Sequence, residues 1–266
     1  MQARVEPAPR AVKEPPVVTL TTDFGGRDPF VGIMKGVILG ICPRARLVDL
    51  VHELPPQDVL AGCLALEAAA PYFPPGTVHL AVVDPGVGTD RPAVAVATKA
   101  AWFVAPDNGL LSFLDPAEIR EVRRIENPAL WLHPVSSTFH GRDVFAPVAA
   151  HLAAGADPGL VGPRADSIHR LPFPQPRPTP EGVEGQVLAF DRFGNAVTNL
   201  RQGHGPGRRV RVAGREIPVV RTYAEVDPGE ALALWGSSDR LEIGVREGSA
   251  REVLGLTRGT PVLLVP

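Results

Sequence analysis

The chain has 266 residues, 44% apolar and 21% charged, with a formal net charge of −2. This composition supports one large packed domain or two modest ones, and excludes long-range disorder or a collagen-type repeat. Basic and acidic residues number 27 and 29 with no run of like charge, so no nucleic-acid-binding surface is signalled.

Residues 1–16, MQARVEPAPRAVKEPP, are polar and proline-rich and lack the apolar centre of a secretory signal. They are expected to form a disordered tail on a cytoplasmic protein. No apolar run approaches the ~20 residues of a membrane span. VVTLTT (Val17 to Thr22) has strand composition and stops at the turn signal Asp23-Phe24-Gly25-Gly26. Pro29 can open a helix in which Phe30, Ile33, Met34, Val37 and Ile38 recur at helical spacing, and Pro43 ends it. RLVDLV is a second strand, and Asp58 to Tyr72 reads as a helix with Val59, Cys63, Leu66 and Ala70 on one stripe. VHLAVV, AVAVAT and AWFVA follow as strands, and Arg142 to Ala154 as a helix. Alternating strands and helices, with strands apolar on both faces, imply βαβ units in a mostly parallel sheet.

Six prolines between Gly162 and Gly182 favour a stiff, extended connector. Beyond it lie short strand-like runs (EGQVLAF, RRVRV, EIPVVR, ALALW, LEIGV and PVLLV) with frequent turn residues and no convincing helix. That pattern predicts a small barrel or sandwich. The expected architecture is a Rossmann-like, mostly parallel α/β domain at 17–172, a proline-rich linker at 173–182 and an all-β domain at 183–266, with the boundary near residue 175. Cys42 and Cys63 have apolar neighbours and no Cys-x-x-Cys spacing, so they read as buried, inert thiols.

Ligands of parallel sheets bind beyond the carboxyl ends of strands. Asp23, Asp84 and Asp107-Asn108 each follow a strand. Singly each reads as turn chemistry; together they mark one sheet edge. In DPGVGTDR, Arg91 lies far enough from Asp84 for the loop to fold back and pair them. His140, in TFHGRDVF, sits where a helix opens, whereas His79 lies inside a strand and reads as structural. His52, His133, His151, His169 and His204 show no partner pattern. No metal-ligand spacing, phosphate loop or serine elbow occurs. In the second half, DRFGN and GSSD read as turns able to hold a small polar group, and Tyr223 as a core or rim aromatic.

The motifs TLTTDFG, VVDPGVGTDR, APDNGLL, STFHGRDVFAP, DRFGNAVTN, GSSDRLEI and REGSA, in this order over about residues 17–266, resemble the S-adenosyl-L-methionine hydroxide adenosyltransferase family. These are relatives of fluorinating and chlorinating enzymes that attack the same substrate. The resemblance implies that S-adenosyl-L-methionine (SAM) and water give adenosine and L-methionine, with no cofactor or metal. It implies a homotrimer whose sites lie between the N-terminal domain of one subunit and the C-terminal domain of its neighbour. The family's Asp, Arg and His set falls on Asp84, Arg91 and His140. Asp23 takes the ribose-binding place, and Asp28 that of a further substrate-side acid. Asp191 and Ser237 match positions holding the methionine amine, and Ser238 one near its carboxylate. Asn195 matches an adenine-binding position, Tyr223 an aromatic stacking on adenine, and the backbone near Glu247 a segment at the adenine edge.

Attack at ribose C5′ with a neutral thioether leaving needs an in-line nucleophile stripped of bulk water. Arg91 can stabilise hydroxide character, His140 can accept the proton, Asp84 can orient either, and Asp23 can accept both ribose hydroxyls. Gln57 and Phe73 stand where halogenating relatives place aromatics, Gly141 stands for a halide-contacting Ser, and an extra loop is missing. These departures favour water. The alternatives are a chlorinase-type halogenase and a non-catalytic SAM or adenosine sensor, which would not need Asp84, Arg91 and His140. Methyl transfer is disfavoured because TTDFGGRDPF lacks the usual glycine-rich loop.

Overall fold

The β-branched run VVTLTT forms β1 (Val17–Thr22). The computed structural model describes residues 14–205 and 207–266, so most of the expected tail, 1–13, lies outside the described residues. Pro16 is already part of the fold, accepting a hydrogen bond from the Arg46 N–H (2.8 Å). There follow α1 (Phe30–Ile41), β2 (Arg46–Val51), α2 (Val59–Ala69), β3 (Val78–Val82), β4 (Ala93–Thr98), β5 (Trp102–Pro106), β6 (Ile119–Arg124) and α3 (Ala146–Ala153). The sheet order is β2-β1-β3-β5-β4-β6. β2, β1, β3 and β5 run parallel, whereas β4 is antiparallel to β5 and β6. β6, IREVRR, was not expected as a strand. Four of its six residues are charged, and its pairing with β4 is what makes it a strand.

The sheet is covered on both faces, as its apolar strands require. Met34 and Ile38 of α1 and Val148 and Ala149 of α3 pack on Leu20, Leu80 and Val82, while Leu66 of α2 packs with Ala81, Val83 and Phe103 on the other face. The stripe expected on α1 is only partly the buried one. Val31, Met34 and Ile38 are buried, but Phe30 and Ile33 are exposed. A helix that is apolar nearly all round carries little periodic information. Cys42 and Cys63 are buried thiols outside any disulfide.

Contacts divide the chain between Leu171 and Pro172. The proline-rich segment expected to be a linker contributes to the second unit. β7 (Arg177–Thr179) pairs with β8 (Gly182–Phe190), and Asn199 Nδ2 donates to Pro174 O (2.8 Å). Proline is tolerated there because β7 pairs on one side only. β9 (Ala196–Arg201), β10 (Arg209–Val212), β11 (Arg215–Pro218), β12 (Ala231–Trp235), β13 (Arg240–Val245) and β14 (Pro261–Val265) follow. The antiparallel order is β11-β10-β14-β8-β9-β13-β12, and a parallel bridge from Val219 to Ala233 brings the ends together in a nearly closed barrel. Val187, Leu200, Val210, Ile243 and Leu264 fill it. The expectation of no helix is corrected by one turn, α4 (Ala250–Val253), capped by Ser249, whose hydroxyl accepts from Glu252 N–H (3.3 Å).

Candidate active site

β1, β3 and β5 are parallel, so Asp23, Asp84 and Asp107 emerge at one sheet edge. Their environments differ. Asp107 is committed to the fold, accepting from His169 N–H (2.7 Å) and facing Arg124 (3.4 Å), while Asn108 donates to Val83 O (2.8 Å). Asp23 accepts one hydrogen bond on Oδ2, from Gln57 N–H (2.7 Å). Gln57 has φ +64, a conformation uncommon for a residue with a Cβ. The His52 carbonyl accepts from Gly25 N–H (2.8 Å), and the His52 ring lies 2.8 Å from Thr22 Oγ1 and 3.0 Å from Asp49. His52, which had no partner pattern in sequence, therefore braces the turn that presents Asp23. Asp28 is exposed and makes no hydrogen bond or ion pair with a described residue.

The segment after β3 folds back on itself. Successive turns (Val87 N to Asp84 O and Thr89 N to Gly86 O, both 3.2 Å) bring Arg91 onto Asp84. Arg91 Nε donates to Asp84 Oδ1 (2.7 Å) and Nη2 to Oδ2, a bidentate pair in which the Asp84 side chain is 4% exposed. Arg91 Nη1 donates to Pro92 O (3.1 Å), and the guanidinium lies over the Phe145 ring. Gly88 has φ +75, and a Cβ there would collide with Ser137 O. Only glycine lets this loop lie against the 136–138 segment.

His140 precedes a π-turn, Gly141–Phe145, that leads into α3. Its Nδ1 is 3.2 Å from Arg91 Nη2. Arginine only donates, so Nδ1 accepts and a neutral ring carries its proton on Nε2. Burial, and then the Arg91 charge, hold the His140 pKa below its ordinary 6.5, against opposing pulls from Asp84 and Asp143. Asp84, Arg91 and His140 thus form one contiguous chain, neutral at the imidazole end at pH 7. His79 is structural. It bonds Thr19 Oγ1 (2.8 Å), stacks on Phe103 and meets Phe73 edge-on. Phe73 is therefore committed to an aromatic cluster. At Gly141 a Cβ would come within 3.2 Å of Met34 Sδ and of the Phe139 ring, so a serine there would force its neighbours to move.

The second unit gathers another polar group. In the turn between β8 and β9, Asp191 accepts from Phe193 N–H, Asn195 N–H (both 2.9 Å) and Asn195 Nδ2 (2.8 Å). Asn195 and Tyr223 both pack on Gly244, where a Cβ would lie 2.8 Å from the Tyr223 ring and 3.0 Å from Asn195 Oδ1. Glu242, on β13, was missed in sequence. Its carboxylate lies against Gly236, at the head of the turn bearing Ser237 and Ser238. Burial and then the Asp191 charge push its pKa up, and it has no ion pair among the described residues. Its one sequence signal is its place as a charged residue between Leu241 and Ile243, on a strand whose other residues are all buried. Glu242 and Asp191 also raise the Tyr223 pKa, after burial. Glu247, at φ +57, stands apart as an exposed turn residue, 3.6 Å from Arg246.

Comparison with known proteins bears on both units. A family model described as SAM hydroxide adenosyltransferase N-terminal domain matches residues 18–162, and its C-terminal counterpart matches 185–263. A Thermus thermophilus protein named (R)-S-adenosyl-L-methionine hydrolase is 48% identical over 262 residues, covering 93% of this chain and 99% of that one. A crystal structure of an uncharacterized conserved protein from Thermotoga maritima superposes with a TM-score of 0.86 at 40% identity, covering 92% of this chain and 98% of that one. More distant is a protein named fluorinase from Actinoplanes sp., 30% identical over 250 residues, covering 79% of this chain and 84% of that one.

Proposed function

The chain belongs to the SAM hydroxide adenosyltransferase family, and on that footing we propose that it is an adenosine-forming SAM hydrolase whose chemistry is carried by Asp84, Arg91 and His140. The observation that carries the assignment of residues is the Asp84–Arg91–His140 chain on the carboxyl edge of the sheet, next to Asp23. A sensor would have no use for it.

The oxygen of a water held at this chain attacks ribose C5′, the C5′–S bond breaks, and its electron pair leaves with sulfur as neutral methionine. One proton is released. Arg91 directs four of its five N–H groups to described residues, which leaves one on Nη1 and a fixed positive charge to favour hydroxide character in the nucleophile. His140 takes the proton on Nδ1, which requires Arg91 to release that atom during turnover. Asp84 holds the guanidinium in place. Among the described residues only Oδ2 of Asp23 is hydrogen-bonded, which leaves Oδ1 to receive the ribose hydroxyls. Asp28 is a second acid on that side.

On the second unit, Tyr223 stacks on adenine and Asn195 and the backbone near Glu247 meet its edge. Asp191 and Ser237, with Glu242 beside them, suit the methionine ammonium, and Ser238 suits its carboxylate. We further propose a homotrimer in which neighbouring chains supply the two halves of each site, and a cytoplasmic enzyme without a metal or cofactor. Among the described residues no helix is long and apolar enough to cross a membrane. Relatives named for the (R) form support the same preference here.

The test is incubation with separately prepared (R) and (S) sulfonium epimers of SAM in halide-free buffer, with chromatography for adenosine. Adenosine and methionine from the (R) form, lost in Arg91→Ala, are expected. Chloroadenosine formed only when chloride is added would place the chain with the halogenating relatives. Bound, unconverted ligand would make it a sensor.

A further inference from the structure

Asp143 is fully buried, yet it has no role in the steps above. Its carboxylate accepts from Ser136 N–H (2.8 Å), Arg142 Nε (2.5 Å) and Arg142 Nη2 (2.9 Å). Its backbone carbonyl accepts from Leu132 N–H (2.8 Å), and its own N–H donates to Phe139 O (3.2 Å). One residue thus joins the chain at 132, the 136–138 loop and the π-turn. The 136–138 loop is the surface on which Gly88 rests, through Ser137 O, and Gly88 belongs to the loop that carries Arg91. The π-turn begins directly after His140.

We infer that Asp143 is the positioning residue of this site, a buried carboxylate that fixes the Arg91 loop and the His140 turn against each other. The inference rests on the hydrolase reading and deepens it. A buried charge suits the task better than an apolar side chain, because it is stable only when its donors stay in place. Movement of either loop would strand it. The cost of such movement to catalysis is large, since displacement of a reacting group by about 1 Å can lower the rate ~100-fold.

Asp143 also acts on His140 by charge. The charged groups acting on His140 are Arg91 and Asp84 from the loop after β3 and Asp143 from its own turn, and Asp143 is in turn ion-paired with Arg142. Asp143 favours the protonated imidazole, and Arg142 neutralises part of that pull.

Two full-length variants test the inference, with His140 followed by imidazole nitrogen NMR in the ligand-free protein and turnover measured on SAM. Asp143→Asn is expected to lower kcat about 10- to 100-fold with KM nearly unchanged, and to move the His140 titration further down. Arg142→Gln is expected to move it up, with a smaller loss of kcat. A residue that only stabilised the fold would not give shifts of opposite sign. Unmoved titrations, or shifts of the same sign, with kcat retained would overturn the inference. If Asp143→Asn fails to fold, Arg142→Gln decides: an upward shift with reduced kcat supports the inference, and an unmoved titration or undiminished kcat overturns it. Wild-type protein that makes no adenosine would overturn the hydrolase reading separately, and the titrations would still report on the packing.

Discussion

Arg91 and Asp84 are buried together, and this sets what substitution costs. Arg91→Ala leaves a carboxylate in the interior without its cation, which destabilises a protein by about 3 kcal/mol or more. Removing both charges relieves that penalty. The expected outcome is a clear fall in Tm for Arg91→Ala, partial recovery for the Asp84→Ala/Arg91→Ala double variant, and no adenosine from either. A double variant that regained activity with stability would reduce the pair to a structural ion bridge. His140 yields a pH prediction. Burial and Arg91 lower its pKa below 6.5, so the imidazole is neutral at pH 7 and ready to accept a proton. The rate should hold from neutrality down past pH 6.5, then fall as pH drops through the lowered value. His140→Ala should lose both that limb and most of the rate; turnover unchanged from pH 6 to 9 would remove His140 as the base.

At the scale of elements, β3 carries a second histidine with a different consequence. His79 is 1% exposed, and burial lowers its pKa to about 4. Between about pH 6.5 and 4 the unfolded chain takes up a proton that the folded chain refuses. Stability is therefore complete above about pH 6.5 and falls as pH drops through that window, by an amount on the order of 3 kcal/mol. Denaturant unfolding of wild type and His79→Gln at pH 7.5 and 4.5 checks this, the variant being expected to lose less on acidification. Equal losses would assign acid sensitivity elsewhere. The loops at the carboxyl ends of β1 and β3 are otherwise held by backbone: Gln57 N–H on Asp23, and Gly88 against Ser137. Rigid loops on a parallel sheet are what precise placement of a weak nucleophile needs.

For the whole molecule, the proposed reading divides what SAM requires between the two units: the nucleophile and ribose would be held by the first, adenine and methionine by the second. If neighbouring chains complete each site, activity depends on assembly. Specific activity should then fall on dilution below the trimer dissociation constant and return on concentration, in step with mass measured by light scattering. Specific activity that stays constant while the mass falls to that of a monomer would remove the shared-site proposal.

Much of this organisation was legible in the chain itself. β-branched runs ended by Asp-containing turns marked strands β1, β3 and β5, the motifs at those ends named Asp23, Asp84 and Arg91, and the opening of a helix named His140. These signals are local: strand propensity, turn chemistry and short spacings act within a few residues. β6 and β9 escaped because their strand character comes from pairing partners, and the segment at 173–182 read as a linker because proline density says nothing of the edge it joins. Tertiary structure alone decided the tautomer of His140, the bracing of Asp23 by Gln57 and His52, the burial of Asp143 and the place of Glu242 beside Asp191. Most of these depend on groups distant in sequence meeting in the fold, and where the meeting place is buried, burial and neighbouring charge, rather than residue type, set what a side chain can do.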